Sequence, residues 1–214
     1  KKVETKLGII SKINVASKLM NNMKKGDKIL IGGAIAYPFM LAKENSNDIE
    51  NIIGDSYIKK DQIDDHIKMA HEIFVKAKEK EIKIILPVDH VVSINGEIKN
   101  VDKIEKGMMA GDIGTKTIEE WKSYFSNADT IVLSGPIGWL ENPSFVNGSK
   151  KITEYIASTT KNNTMTIGAG GDTAAMVKRF GLENDFSLLS IGGGATLEFL
   201  MNGKLSVMDM LDKT

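Results

Sequence analysis

The chain has 214 residues, of which 42% are hydrophobic and 26% are charged, as in an ordinary globular protein. Lys and Arg number 28 and Asp and Glu also number 28, so the formal net charge is zero and no general basic surface for nucleic acid is expected. The sequence has no cysteine, which excludes disulfides and cysteine nucleophiles, and no run of about 18 apolar residues that would span a membrane.

Apolar runs alternate along the chain with longer amphipathic stretches, a pattern typical of an α/β fold with a mostly parallel sheet. Helices are predicted over residues 9–23, 36–43, 58–80, 115–126, 148–161, 173–180, 195–201 and 207–211. Strands are predicted over residues 28–32, 82–86, 130–133, 164–167 and 187–191, with a hairpin over 91–98. The dipeptide Asn95-Gly96 favours that hairpin, and Thr115 or Thr117 is expected to cap the helix over 115–126. No repeat or linker interrupts the pattern, which predicts one continuous domain.

Glycine follows four of the predicted strands. Open α/β sheets bind ligands at the carboxyl ends of their strands, where glycine lets backbone N–H groups approach a ligand closely. Each following helix N-terminus favours an anion by about 0.3–1 kcal/mol. The pattern therefore predicts a phosphate or nucleotide site, with glycines that serve only tight turns as the alternative. The four junctions begin at Gly32, Gly135, Gly168 and Gly192.

Two common nucleotide-binding fingerprints are not completed at these junctions. The absence of G-x-x-x-x-G-K-[ST] argues against a P-loop enzyme. The absence of a complete G-x-G-x-x-G argues against a nicotinamide dehydrogenase, which is an alternative enzyme class for an α/β chain of this kind.

Seven short motifs occur in a fixed order along almost the whole chain. Their order and spacing, from Lys2 to Leu211, closely resemble the C-terminal, nucleotide-binding domain of the phosphoglycerate kinase family. The resemblance implies a doubly wound, Rossmann-like α/β fold over residues 1–214, with a mostly parallel sheet and helices on both faces. The motifs are KVETKLG (2–8), ILIGGAIAY (29–37), LPVD (86–89), DIGTKT (112–117), SGPIG (134–138), GGDTA (170–174) and GGGATLE (192–198).

The resemblance also implies an activity and its partners. The family transfers a phosphoryl group between 1,3-bisphosphoglycerate and ADP, which yields 3-phosphoglycerate and MgATP. Its glycerate site lies in an N-terminal domain that has no counterpart in this chain, so we expect a fragment of a protein of about 400 residues. The fragment is expected to bind ADP or ATP with Mg²⁺ and to show no turnover alone. We further expect a cytoplasmic monomer with no nucleic-acid or membrane partner.

Five residues carry the transfer step by this resemblance. Lys2 and Lys6, four residues apart, correspond to lysines that neutralise the nucleotide phosphates. Gly192, Gly193 and Gly194 correspond to a loop whose amides stabilise the phosphoryl group in transfer.

The remaining assignments concern the bound nucleotide. Asp172 corresponds to the residue that holds Mg²⁺, and it is also placed to cap the helix that follows. Thr173 corresponds to a phosphate contact through its hydroxyl or its backbone N–H, and Glu141 to the acid that binds the ribose hydroxyls. Glycines and a proline complete the phosphate loop and the walls of the adenine slot: Gly170, Gly171, Gly32, Gly33, Gly111 and Pro136.

A few positions depart from the family pattern, and they leave a second function open. Ser134, Ala169 and Ile191 stand where the family usually has Asn, Gly and Thr. These departures are the support for the alternative, a nucleotide-binding paralogue without catalytic activity.

Overall fold

The computed structural model of the chain describes residue 13 and residues 16–46, 48–58 and 60–192. Within the predicted first helix, residues 16–19 are helical. Residue 13 is also helical, and residues 20–22 form a turn. Residues 9–12 and 14–15 of this predicted helix, and the whole of the helices predicted over 195–201 and 207–211, lie outside the described residues.

The other predicted helices are present with small shifts at their ends. The helix predicted over 58–80 begins at Ile63, because a 3₁₀ turn, Lys60–Gln62, precedes it. The α-helices are Ala36–Glu44, Ile49–Ile52, Ile63–Glu79, Thr115–Phe125, Asn147–Thr159 and Gly171–Arg179.

The strands within the described residues form three sheets, two of them parallel. Strands β1 (Lys28–Leu30) and β2 (Lys83–Ile85) pair in parallel, and β6 (Thr130–Leu133), β7 (Met165–Ala169) and β8 (Leu188–Ser190) form a second parallel sheet in that order. The α/β class is therefore confirmed, with the parallel strands hydrogen-bonded as two sheets.

The third sheet is antiparallel and contains the predicted hairpin. Strands β3 (His90–Ile94) and β4 (Glu97–Val101) are joined through Asn95 and Gly96, whose φ angles of 50° and 82° are those of a type I′ turn. Strand β5 (Met109–Ile113) pairs with the other edge of β3. The sequence did not predict β5, because Ala110, Gly111 and Asp112 favour strands poorly and pairing with β3 decides their conformation.

Two apolar clusters form the core. In the first, the helix Ile63–Glu79 buries the stripe expected from its spacing, which includes Ile67 and Ile73. The second joins β6 to the helices that flank it, through Ile131, Leu133, Ile156 and Val177. The second cluster includes Leu133, the last residue of β6, and so packs directly before one of the glycine junctions. Among the described helices, none has the length and apolar character needed to cross a membrane.

The helix Thr115–Phe125 is capped by a residue that is distant in sequence. The predicted cap at Thr115 or Thr117 is wrong, since Gly114 occupies the N-cap position and no side-chain cap bond forms there. The buried carboxylate of Asp89 instead accepts from the backbone N–H of Lys116 at 3.0 Å and of Thr117 at 2.8 Å. These are two of the donors that a helix start leaves unpaired.

Candidate functional site

The glycine junctions after β1 and β6 lie against each other. Gly33 has a φ of +65°, and a Cβ there would lie 3.0 Å from the carbonyl oxygen of Ile137 and 3.4 Å from that of Pro136. A Cβ on Gly32 would lie 2.8 Å from Cγ2 of Ile137. The structure thus brings Gly32, Gly33 and Pro136 together, and the close approach of the two backbones requires glycine.

A threonine joins the junction after β7 to the one after β6. The buried Thr173 hydroxyl accepts from the backbone N–H of Gly135 at 2.7 Å and donates to the carbonyl of Ala169 at 2.8 Å. Because its hydroxyl is engaged within the fold, Thr173 retains its backbone N–H as the group that could meet a ligand.

The helix Gly171–Arg179 begins with two exposed residues. Gly170, with a φ of +106°, donates its N–H to the carbonyl of Ser190 at 2.8 Å and so ties the turn to β8. Gly171 and Asp172 are exposed, and a Cβ on Gly171 would meet no atom of the described residues within 4 Å. Gly192 is also exposed near this edge, with its N–H 3.3 Å from the Ser190 hydroxyl. A helix N-terminus with free space in front of it can receive an anion.

Gly111 packs against an aromatic pair. Its carbonyl accepts from the backbone N–H of Trp139 at 2.8 Å, and a Cβ at Gly111 would overlap the ring of Phe145. The indole of Trp139 stacks on the buried Phe145 ring with centroids 6.1 Å apart, and it is 48% exposed. Gly111 thus touches the Phe145 ring directly, and the half-exposed Trp139 indole stacks on that ring.

Glu141 lies in the same loop as Trp139 and is exposed. The residue before it, Leu140, accepts from Nη1 of Arg179 at 2.7 Å. Arg179, the only arginine of the chain, ends the helix that begins with Gly171 and Asp172. This bond ties the loop of Glu141 to the helix of Asp172.

The remaining predicted site residues cannot be placed. Lys2, Lys6, Gly193 and Gly194 lie outside the described residues, so their roles stay predictions.

Two buried polar residues support the loop after β6, and sequence reasoning gave neither a role. The hydroxyl of Ser149 accepts from the backbone N–H groups of Ile137 at 3.0 Å and Gly138 at 2.8 Å. The Asp112 carboxylate accepts from the N–H of Gly148 at 2.6 Å and from its neighbour Ile113 at 2.9 Å. Burial raises the pKa of Asp112 to about 7 in spite of these two bonds. The available signal was its position in the DIGTKT motif, directly after Gly111.

The residues at the edge fit a weakly held hard cation. Among the described residues, no group of three or more His, Asp or Glu side chains could enclose a metal ion. Mg²⁺ commonly keeps several waters and is bound by one or two carboxylates together with substrate phosphates. The exposed Asp172 carboxylate, next to the exposed Gly171 at the start of a helix, suits that mode.

Comparison with known proteins gives one consistent family. The family model for phosphoglycerate kinase matches residues 2–204. The chain is 38% identical over 220 residues to the phosphoglycerate kinase of Fervidobacterium nodosum, covering 99% of this chain and 50% of that protein. It is 39% identical over 210 residues to the one from Dictyoglomus turgidum, covering 95% and 48%. The structure of phosphoglycerate kinase from Coxiella burnetii matches with a TM-score of 0.76 at 30% identity, covering 95% of this chain and 50% of that one. The chain thus spans about half the length of the curated relatives it matches.

Proposed function

The chain belongs to the phosphoglycerate kinase family, and from that membership we propose that it is the nucleotide-binding half of an enzyme that transfers phosphoryl between 1,3-bisphosphoglycerate and ADP. The observation that carries the proposal is the meeting of three glycine loops, after β1, β6 and β7, beside an open helix N-terminus. The glycerate substrate would bind to the half of the relatives that this chain does not match.

In this proposal the nucleotide lies along the edge formed by these loops. The base would lie between the backbone of Gly32 and Gly33 on one side and the region of Gly111 and Pro136 on the other. Glu141 would accept hydrogen bonds from the ribose hydroxyls, as its exposed position allows. With the base and the ribose at these positions, the phosphates would lie toward β7 and β8.

The first turn of the helix Gly171–Arg179 would receive the phosphates. Its N–H groups, including that of Thr173, carry the partial positive charge of a helix start. Asp172 would hold Mg²⁺, which when bound neutralises charge on the phosphate oxygens. Gly170 supplies the positive φ of the turn, and Gly171 adds no side chain where the backbone would approach the ligand.

The transfer step depends on positioning and charge rather than on covalent chemistry. Lys2 and Lys6 would neutralise the moving phosphoryl group, and the amides of residues 192–194 would donate to its oxygens. This chain alone would bind nucleotide without turnover, because the acyl phosphate would be positioned in line with ADP by the half of the relatives that this chain does not match. Lost orientation of that kind can cost about 7–11 kcal/mol of barrier lowering.

The alternative is a paralogue that binds nucleotide without catalysis. Two of the departures from the family pattern, Ser134 and Ile191, are exposed at this edge, with Ile191 83% exposed. They would alter the surface that meets the nucleotide. Phosphoryl transfer by the full-length protein would exclude this alternative, and its absence in a protein that binds MgADP would support it.

Calorimetric titration with MgADP tests the proposal. We expect binding that Asp172→Ala weakens at least about tenfold, since a lost interaction with a charged group costs roughly 1.5–3 kcal/mol. Asp64→Ala is the matched control, because Asp64 is also an exposed aspartate at the second position of a helix, Ile63–Glu79. A folded wild-type chain that does not bind MgADP, or equal losses in both variants, would contradict the proposal.

A further inference from the structure

We propose that Asp112 is a positioning residue for the nucleotide, whose ionised carboxylate holds the slot wall at Gly111 and the loop of Glu141 in register. The inference rests on the proposed function of the site. Asp112 would not touch the ligand and would act through the backbone that it binds.

Three backbone segments converge on this carboxylate. Asp112 is 6% exposed, and its two oxygens accept from Gly148 N–H at 2.6 Å and Ile113 N–H at 2.9 Å. A Cβ on Gly138 or on Gly148 would collide with the carboxylate. The Asp112 carboxylate is the nearest obstacle at Gly148, whereas at Gly138 the backbone carbonyl of Phe145 lies closer still and the carboxylate comes second.

The segment between Gly138 and Gly148 carries the residues of the slot. Trp139 donates to the Gly111 carbonyl, and the Phe145 ring lies against Gly111. Glu141 lies between these two anchors. Because Asp112 contacts both ends of the segment and follows Gly111 directly, a change in its carboxylate would move the slot wall and the Glu141 loop together.

The charge of Asp112 changes within the physiological range, whereas its described titratable neighbours keep theirs. Burial raises the pKa of Asp112 to about 7, and the ionised form is the better acceptor for two N–H groups. Tyr37, which donates to the Ala110 carbonyl, stays neutral because burial raises its pKa to about 12. His90, across from Ile113 in β3, stays neutral because burial lowers its pKa to about 4. On the adjoining helix Asn147–Thr159, Lys150 and Lys151 are exposed cations.

Ligand affinity as a function of pH tests the inference. The probes are adenosine, which has no group that titrates between pH 6 and pH 8, followed by NMR, and MgADP, followed by calorimetry. Between these pH values the ionised fraction of a group of pKa 7 rises from about 0.1 to about 0.9. We expect the affinity of the wild type for adenosine to rise roughly five- to tenfold. Asp112→Asn should abolish the rise and bind more weakly at pH 8.

The matched control is Asp89→Asn, a second buried aspartate that lies outside the proposed slot. Hydrogen bonds to Asp89 hold its pKa below the ordinary value, so it does not titrate in this range. Asp89→Asn should keep the wild-type pH profile. If Asp112→Asn does not fold, the profiles of the wild type and of Asp89→Asn still decide, because neither needs that variant.

A second measurement separates positioning from a merely structural role. A folded-state pKa above the ordinary value means that the wild type should lose thermal stability relative to Asp112→Asn as pH rises from 6 to 8. Affinity should rise over the same range, so the two properties move in opposite directions. MgADP binding with a flat adenosine profile, or affinity and stability that change in parallel, would overturn this inference alone. No binding of either ligand at any pH would overturn the proposed function with it.

Discussion

Thr173 shows how one hydroxyl can hold two glycine loops together. It accepts from Gly135 and donates to Ala169, and it is 1% exposed. Thr173→Val keeps the shape but leaves the Gly135 N–H without its partner, so we expect the free energy of unfolding to fall by about 1–3 kcal/mol. Urea denaturation followed by circular dichroism measures this loss. Thr173→Ser retains the hydroxyl and should lose clearly less; equal losses in both variants would show that the methyl group matters instead.

At the scale of elements, the start of the helix Thr115–Phe125 depends on Asp89. Its carboxylate accepts from Lys116, Thr117 and, at 2.9 Å, the side-chain amide of Asn100. Burial alone would raise the pKa of Asp89, but hydrogen bonds from Asn100, Thr117 and Lys116 outweigh burial and hold the pKa below its ordinary value. One side chain thus fastens the helix to the hairpin β3–β4.

Asp89→Asn should therefore destabilise the protein by at least about 2 kcal/mol, since it replaces a charged cap and leaves a helix donor poorly paired. Urea denaturation at pH 7 measures the change. Asp102→Asn is the control, because Asp102 pairs with the same helix through Lys116 Nζ at 2.7 Å, with both side chains well exposed. An exposed pair contributes about 0–1 kcal/mol. A loss as large as that of Asp89→Asn would refute the capping role.

Local pattern predicted the elements that depend on local physics. The Asn95-Gly96 hairpin and the buried stripe of the helix Ile63–Glu79 follow from turn chemistry and from spacing, and both are confirmed. The cap of the helix Thr115–Phe125 was missed because the carboxylate that accepts from the Lys116 N–H lies 27 residues earlier, at Asp89. Likewise β5 forms because it pairs with the edge of β3. The residues of Met109–Ile113 have no local preference that would predict this strand.

At the scale of the whole molecule, the predicted strand-end glycines do converge, but the side chains that lock them together could not be predicted. The loops after β1, β6 and β7 meet through backbone contacts at Gly33 and through Thr173. Asp112 and Ser149 hold the loop after β6 from the other side, from positions whose burial the sequence does not reveal. The family resemblance identified candidate site residues, whereas the structure shows which neighbouring residues fix the positions of those that it describes.

The pH dependence of global stability involves two buried groups on paired strands, His90 on β3 and Asp112 on β5. Burial lowers the pKa of His90 to about 4, against an opposing effect of the Asp89 charge, so its contribution is present above pH 6.5 and is lost as pH falls through 4. Asp112, with a pKa raised from 3.8 to about 7, contributes stability that is present below pH 3.8 and is lost as pH rises through 7. Between about pH 4 and pH 6.5 the two slopes oppose each other, and the wild type should show little net change.

Asp112→Asn should expose the slope that His90 imposes. In this variant we expect the free energy of unfolding to fall by up to about 3 kcal/mol between pH 6.5 and pH 4, because each unit of pKa shift corresponds to 1.36 kcal/mol. Urea denaturation at pH 4.5, 5.5 and 6.5 measures the slope, and His90→Asn should show the opposite one. Curves for the wild type and Asp112→Asn that run parallel would mean that Asp112 titrates near its ordinary value. Its carboxylate would then be ionised at every physiological pH, and the pH dependence proposed for the nucleotide slot would have no source in this residue.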